Sequence, residues 1–289
     1  MKLGAFTTFT PEYTFPEACR LIKSIGYDGV QPRIVPDASA GFDPSKPFNP
    51  WGNNKGGIAE SAFFEDPQGA LKPAKDAGLQ ISSVASYTNT NDMERAVKMV
   101  RACGKAGIRN VRVGAGLPIP KDKPQWDALK LVDESKARYK ELVAEANKAG
   151  VRPCLELHGG TLFPGPSGTA NFLRGFTPEQ VGILYDPANM LSDGWERLDL
   201  SLNLMGDFLA EVHVKNSVWV RTGADANGVA QWKAQSAELE DGCVYWPEII
   251  AQLKKRGYDG WLVEEGHTDS ASHKRLATAF AHLKRMLGA

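Results

Sequence analysis

The sequence has no excess of charge of either sign and no long apolar run. Lys and Arg total 34, as do Asp and Glu, so the formal net charge is +0. Binding to nucleic acid or to an anionic membrane needs a basic surface, so we expect neither partner. No apolar stretch approaches the roughly 20 residues that span a bilayer, and the N-terminal sequence lacks the apolar core of a secretory signal. These absences predict a cytoplasmic protein.

Cysteine is scarce and scattered. The chain has 4 cysteines, Cys19, Cys103, Cys154 and Cys243, and no two of them form a CxxC pair. Closely spaced cysteines are the usual mark of a structural zinc site or of a disulfide framework. The spacing therefore predicts buried free thiols in a reducing compartment.

Short strand-like runs alternate with longer helical segments, which is typical of βα units that form a parallel sheet. Eight such units can be counted. The predicted strands are residues 2–7, 28–33, 79–87, 108–114, 151–157, 181–186, 209–216 and 260–265. Eight units favour a closed α/β barrel, a (β/α)8 TIM barrel formed by residues 1–289 as one domain. An open doubly wound sheet is the main rival, but the chain has neither a GxGxxG dinucleotide loop nor a GK[ST] phosphate loop.

Several predicted helices end in a glycine that leads directly into the next strand. Glycine is favoured there because the residue after a helix often adopts a left-handed backbone conformation. The glycines concerned are Gly26, Gly78, Gly107, Gly150 and Gly257.

Two segments exceed ordinary loop length, residues of about 34–60 and 217–243. Both follow predicted strands, so in a barrel both would lie on the C-terminal face where such enzymes place their active sites. We predict that they are long active-site loops, since long loops in compact domains are commonly lids or binding loops. Trp51, Trp219 and Trp232 lie in these segments and could stack on a ligand or simply pack the loops down.

Ionisable residues occur near the ends of four successive predicted strands. They are Glu156, Asp186, His213 and the pair Glu264 and Glu265. Clustered carboxylates repel one another unless a cation neutralises them. A set rich in oxygen with one imidazole suits Mn²⁺, with Mg²⁺ or Co²⁺ as alternatives. Alternation along the last strand leaves both glutamates open as ligands, and Glu265 is preferred because it lies nearer the rim.

Four motifs resemble the sugar phosphate isomerase/epimerase superfamily, the xylose isomerase-like TIM barrels. They are "LELHGG", "YDPANM", "EVHVKN" and the closing "DGCVYWPEIIAQLKKRGYDGWLVEEG". This family includes ketose 3-epimerases, hydroxypyruvate isomerase and inosose dehydratase. The resemblance implies that Glu156, Asp186, His213 and Glu265 bind one divalent metal.

The resemblance also implies an isomerase or epimerase that removes a proton alpha to the carbonyl of a ketose or keto-sugar. The metal would stabilise the resulting enediolate, and Glu156 and Glu265 would carry the proton. Relatives that cleave 3-oxo-glycosides use a histidine two residues after the first glutamate, as His158 is here, so a metal-dependent lyase or dehydratase is the alternative. A non-catalytic sugar-binding barrel, or a subunit that needs a partner, is a second alternative, and homo-oligomers are common among relatives.

Other polar residues are candidates for contact with the sugar. Lys215 shares a strand face with His213, Arg112 lies on the fourth strand, and His267 follows Glu265. On the second strand many relatives have "GVE" where this chain has "GVQ", so Gln31 can donate a hydrogen bond but cannot act as a base. Asn189, three residues after Asp186, is a further candidate of the same kind.

Overall fold

The computed structural model describes residues 1–116, 119, 125–193 and 195–288. Its strands are β1 (Lys2–Phe6), β2 (Gly29–Gln31), β3 (Arg33–Val35), β4 (Gly57–Ala59), β5 (Gln80–Ile81), β6 (Val84–Asn89), β7 (Asn110–Gly114), β8 (Arg152–Glu156), β9 (Gly182–Tyr185), β10 (Leu209–Val214), β11 (Asn216–Ala224), β12 (Ala230–Ala237) and β13 (Trp261–Glu264). Its α-helices are α1 (Phe15–Ile25), α2 (Glu60–Glu65), α3 (Pro67–Asp76), α4 (Met93–Lys105), α5 (Ala128–Lys148), α6 (Pro166–Leu173), α7 (Pro187–Asp193), α8 (Leu198–Met205), α9 (Trp246–Lys255) and α10 (Ser272–Leu287).

The main sheet is a ring of parallel strands. Its order is β4-β3-β6-β7-β8-β9-β10-β13-β1-β2-β5. Only Pro32 separates β2 from β3, and the Ala85 amide donates to the Pro32 carbonyl at 3.0 Å. β2 and β3 are thus two parts of one strand, as are β5 and β6. The pair β3–β6 near one end of the order and the pair β2–β5 at the other end therefore join the same two barrel strands, so the order returns on itself. The eight strands expected from the sequence are all present, and the predicted α/β barrel fold is confirmed.

The helices pack around the ring and end as the sequence predicted. The five glycines expected after helices all have a positive φ, between 67° at Gly257 and 116° at Gly26. Between strands and helices lies one large apolar core, which contains side chains such as Ile22, Met99 and Leu142, each 0% exposed. No helix in the described part of the chain is long and apolar enough to cross a membrane. The single-domain organisation stays a prediction.

The two long segments differ in structure. Between β3 and α2 the chain is mostly irregular, with a short turn of 3₁₀ helix and β4, which pairs parallel to β3. The second segment is not the loop that was predicted, because β11 and β12 pair as an antiparallel ribbon. At its tip Asp225 accepts hydrogen bonds from the amides of Asn227 and Val229, at 2.8 and 2.9 Å. The overlooked signal for this hairpin is an Asn-Gly turn between two segments of alternating residues.

Three of the four cysteines are buried, as predicted, and the fourth is not. Cys19, Cys103 and Cys154 are 0% exposed, whereas Cys243 is exposed after the β11–β12 ribbon. Burial raises the pKa of Cys19 and of Cys154 to about 12. These thiols therefore stay protonated and unreactive at neutral pH.

We expect Gly29→Ala to destabilise the barrel by about 1–3 kcal/mol, the usual range for overpacking. A Cβ at this position would lie 2.5 Å from Cη2 of Trp261 and 2.7 Å from the Gln80 carbonyl oxygen, and the backbone cannot give way readily. Gly168→Ala in α6 is the control, because no described atom outside its own helix and chain neighbours lies within 4 Å of the added carbon. Equal midpoints of urea unfolding for the two variants would contradict this packing.

A thiol-titration experiment tests the cysteine environments. With an aromatic disulfide reagent at pH 8, one thiol should react rapidly in the native protein because only Cys243 is exposed. Cys243→Ser should remove that fast phase, and denaturant should release the other three thiols. A second fast thiol in the native wild type would show that one of the buried sites is open.

Candidate metal centre and catalytic pocket

The structure brings together the four residues that the sequence singled out at successive strand ends. Glu156 is the last residue of β8, Asp186 follows β9, His213 lies in β10 and Glu265 follows β13. One donor atom from each lies within 4.8 Å of the others. Parallel strands present their carboxyl ends to the same rim of a barrel, which is why residues so far apart in sequence meet.

His213 lies at the centre of this quartet. Its Nδ1 atom is 3.0 Å from Oε1 of Glu265, 3.3 Å from Oε1 of Glu156 and 4.0 Å from Oδ2 of Asp186. The imidazole and the Asp186 side chain are 0% exposed. Three carboxylates thus converge on one ring nitrogen in a region that is nearly closed to solvent.

Two cationic side chains flank the quartet. Lys215 places Nζ 2.6 Å from Oδ2 of Asp186 and 3.2 Å from Oε2 of Glu265. Arg112 donates from Nη1 to Oε2 of Glu156 at 2.7 Å. Each cation contacts carboxylates of the quartet, so both predicted substrate-binding residues also partly neutralise this cluster.

Burial and charge act in opposite directions on the acids. Burial alone would raise the pKa of Glu156, but Arg112 and His213 outweigh it and hold the pKa of this carboxyl well below its usual range. For Asp186 burial dominates, and its pKa is raised in spite of the nearby Lys215 ammonium. The three carboxylates therefore do not have equivalent environments.

The donor set fits a hard divalent cation. Three carboxylate oxygens and one imidazole nitrogen form a combination typical of manganese and magnesium sites rather than of structural zinc. His213 Nδ1 and Glu265 Oε1 are buried, and among the residues that the structure describes neither has a hydrogen bond of favourable geometry, although they lie 3.0 Å apart. Buried polar atoms rarely remain unsatisfied, and a shared cation would satisfy both.

The neighbouring glutamates on the last strand have separate roles. Glu265 joins the quartet, whereas Glu264 faces the other side of the strand, where Arg275 of α10 lies 3.6 Å away. The Gly266 amide donates to Oε1 of Glu264 at 2.9 Å. Burial raises the pKa of Glu264 to about 7. The preference for Glu265, which rested on its position nearer the rim, thus agrees with the geometry.

A cavity of about 300 Å³ adjoins the quartet on the side of the third, fourth and fifth barrel strands. Its lining includes Glu156, Arg112, His158, Tyr87 and Thr88. A volume of this size lies at the lower end of the usual range for small-molecule sites. Glu156 is the member of the quartet that lines this cavity.

His158 lies beyond the end of β8 at the cavity wall. Its side chain is exposed, and its Nδ1 is 2.8 Å from the Gly159 carbonyl oxygen. The histidine is not within the quartet, so it is free to meet a ligand in the cavity. Asn189 donates to the Leu157 carbonyl at 3.3 Å and through its backbone amide to Asp186 at 3.0 Å, so its contacts are with the site's framework.

Two predicted substrate-binding residues are placed away from the described lining of this cavity. Gln31 is 0% exposed and donates to Glu211 and Ser83 deeper in the barrel. His267 is stacked on Phe9, with ring centroids 5.3 Å apart. Gln31 and His267 thus have partners within the protein, and their contact with a sugar stays a prediction.

The tryptophans of the long segments have different surroundings. Trp51 packs edge-on against Phe9 at 5.6 Å and against His267 at 5.1 Å, so this residue holds its loop down on the barrel rim. Trp219 and Trp232 lie on the β11–β12 ribbon and remain 40% and 58% exposed.

Glu211 and Ser83 were missed in the sequence. Both are buried and contact each other at 3.0 Å below the quartet. The period of two along "EVHVKN" places Glu211 on the same side as His213 and Lys215, so that alternation was the available signal for Glu211. Nothing in the local sequence marks Ser83.

The chain matches one family over most of its length. A sequence model described as the xylose isomerase-like TIM barrel matches residues 19–286. No curated protein matches the chain closely enough to count as a sequence relative.

Solved structures of similar fold include three from bacteria. A xylose isomerase-like TIM barrel protein from Mycobacterium smegmatis, in complex with magnesium, has 16% identity and a TM-score of 0.68, over 99% of this chain and 96% of that one. D-Psicose 3-epimerase from Clostridium cellulolyticum H10 has 14% identity and a TM-score of 0.70, over 99% of both chains. For 3-keto-D-glucoside 4-epimerase from E. coli the identity is 16% and the TM-score 0.69, over 98% of this chain and 99% of that one.

These identities establish likeness of fold alone, whereas the family model matches residues 19–286, a range that contains the four positions of the quartet. The chain belongs to the xylose isomerase-like TIM barrel family.

Proposed function

We propose that the protein is an isomerase or epimerase, dependent on a divalent metal, that acts on a ketose or keto-sugar. The observation that carries the proposal is the quartet, whose donor atoms lie within 4.8 Å of one another beside a cavity of about 300 Å³. Glu156, Asp186, His213 and Glu265 would hold the ion, which supplies Lewis-acid stabilisation of negative charge on a substrate oxygen. The D-psicose and 3-keto-D-glucoside epimerases of like fold support the choice of substrate class.

Glu156 is the best-placed proton carrier. It lines the cavity, and its pKa well below the usual range keeps it ionised, and therefore able to accept a proton, at neutral pH. Glu265 enters the cluster from the last barrel strand, whereas Glu156 enters from the fifth. Two carboxylates that reach a substrate from different sides could exchange its proton on opposite faces, as epimerisation requires.

The cations would orient these acids and the substrate. Arg112 contacts Oε2 of Glu156 through Nη1 and lines the cavity. Lys215 lies 2.6 Å from Asp186 and 3.2 Å from Glu265. Fixed positive charge beside a substrate oxygen lowers the energy of the anion that forms when the alpha proton leaves.

The oxygen-rich donor set favours Mn²⁺ as the ion, with Mg²⁺ or Co²⁺ as alternatives. The magnesium complex of a protein of the same fold supports a divalent ion.

A lyase or dehydratase is the second candidate, and His158 is the observation that favours it. This histidine lines the cavity next to Glu156 and lies outside the quartet. An imidazole in that position could protonate a leaving group, which an epimerase does not need.

Metal binding tests the quartet through two adjacent glutamates. We expect Glu265→Gln to weaken Mn²⁺ binding by more than about 100-fold, because loss of a direct ligand exceeds the 10–100-fold effect typical of outer partners. Glu264→Gln is the matched control, since this buried neighbour faces Arg275 instead. Isothermal titration calorimetry measures both. Equal weakening in the two variants would remove Glu265 from the ligand set.

Hydrogen exchange tests the chemistry. The Mn²⁺-loaded wild type, incubated in D₂O with D-fructose, D-tagatose, D-psicose and 3-keto-glucosides, should introduce deuterium alpha to the carbonyl of at least one of them. Glu156→Gln should slow this exchange by about 100-fold or more, the lower range of general-base contributions. NMR of the recovered sugars measures the label. The proposal fails if none of these sugars exchanges.

His158→Ala separates epimerase from lyase. Because His158 lies outside the quartet, the variant should bind Mn²⁺ as the wild type does. In an epimerase it should also retain exchange alpha to the carbonyl, whereas in a lyase it should lose release of water or aglycone. Loss of metal binding in this variant would show that His158 supports the metal centre itself.

A further inference from the structure

We infer that Glu211 is a positioning residue that orients His213 so that Nδ1 faces the other three members of the quartet. Oε1 of Glu211 lies 3.2 Å from Nε2 of His213, and both side chains are 0% exposed. This inference rests on the proposed metal centre and extends it to a residue outside the ligand set.

Glu211 is held in place from across the barrel. It lies two residues before His213 on β10, so both side chains point to the barrel interior. Gln31 of β2 donates to its Oε1 at 2.5 Å, and the Ser83 hydroxyl, from the link between β5 and β6, donates at 3.0 Å. Gln31 also donates to Ser83 at 2.8 Å. Donors from the second and third barrel strands therefore fix a carboxylate carried by the seventh.

The charge of Glu211 has a single counterpart. In the part of the chain that the structure describes, His213 is its one ion-pair partner, and its Oε2 has no hydrogen-bond partner. A buried carboxylate is costly unless a charged or strongly donating group compensates it. A hydrogen bond from the His213 ring provides that compensation.

This contact decides which ring nitrogen of His213 carries a proton. Nε2 faces a carboxylate, so it must donate, because an unprotonated nitrogen there would set its lone pair against those of Glu211. Nδ1 is then the nitrogen available as a ligand, and it is the atom that lies 3.0 Å from Glu265 and 3.3 Å from Glu156. A negative partner behind the ring also makes Nδ1 a stronger electron donor.

Gln31 and Ser83 gain a role from the same geometry. The Gln31 amide nitrogen lies 3.3 Å from Nε2 of His213. Because that nitrogen carries a proton, the amide hydrogens of Gln31 must point to Glu211 and Ser83 instead. All three side chains therefore form one support beneath the quartet.

The test compares cobalt binding by the full-length wild type and by Glu211→Gln, which keeps the shape of the side chain and removes its charge. Binding of Co²⁺ should weaken by about 10–100-fold, the usual effect of losing an outer partner of a metal-bound histidine. The visible absorption bands of bound Co²⁺ should also shift, because the ring is less strongly held and donates less charge. Glu264→Gln, a neutralised buried glutamate outside this network, should leave both readouts unchanged.

A second variant covers the case in which Glu211→Gln does not fold. Ser83→Ala removes one donor to Glu211 and leaves both charges in place, so we expect a smaller loss of Co²⁺ affinity in the same direction. Wild-type affinity and an unshifted Co²⁺ spectrum in a folded Glu211→Gln, or in Ser83→Ala if only that variant folds, would overturn the role of Glu211 alone. A wild type that binds no Co²⁺, Mn²⁺ or Mg²⁺ would overturn the proposed metal centre and this inference with it.

Discussion

Three carboxylates at the mouth of the barrel lie so close together that they cannot all remain charged without compensation. In a buried site their mutual repulsion is only weakly screened. Two neighbouring cations supply this compensation. Lys215 forms ion pairs with Asp186 and Glu265, and Arg112 forms one with Glu156.

The barrel architecture makes such a cluster available. Parallel strands bring residues from distant parts of the chain to one rim, and alternation sends every second side chain inward. On β10 the inward positions are Glu211 and His213, followed by Lys215 just beyond the strand. One strand thus supplies a support, a candidate ligand and a counter-charge at increasing height toward the mouth. The cavity then opens beside Glu156, where a substrate can reach the acid.

The limits of the sequence prediction are visible in particular residues. Gln31 was named as a candidate for sugar contact, and the structure adds that its amide donates to Glu211 and Ser83, two partners the sequence did not reveal. His267 was named as a candidate because it follows Glu265, and the structure adds that it stacks on Phe9, which lies just after β1. In both cases the partner lies far away along the chain, so local sequence could not reveal it. The exposed Cys243 depends in the same way on how the β11–β12 ribbon leaves the barrel.

Periodicity, glycines after helices and ionisable residues at strand ends determined the eight strands, the barrel and three members of the quartet, Glu156, Asp186 and His213. These features are set by local backbone preferences and by alternation, which are written in short stretches of sequence. Only the tertiary structure decided that Glu265 rather than Glu264 faces His213, that Arg112 and Lys215 pair with the acids, and that Glu211 supports the imidazole from below. Such choices depend on distances between strands remote in sequence, which are fixed when the barrel closes.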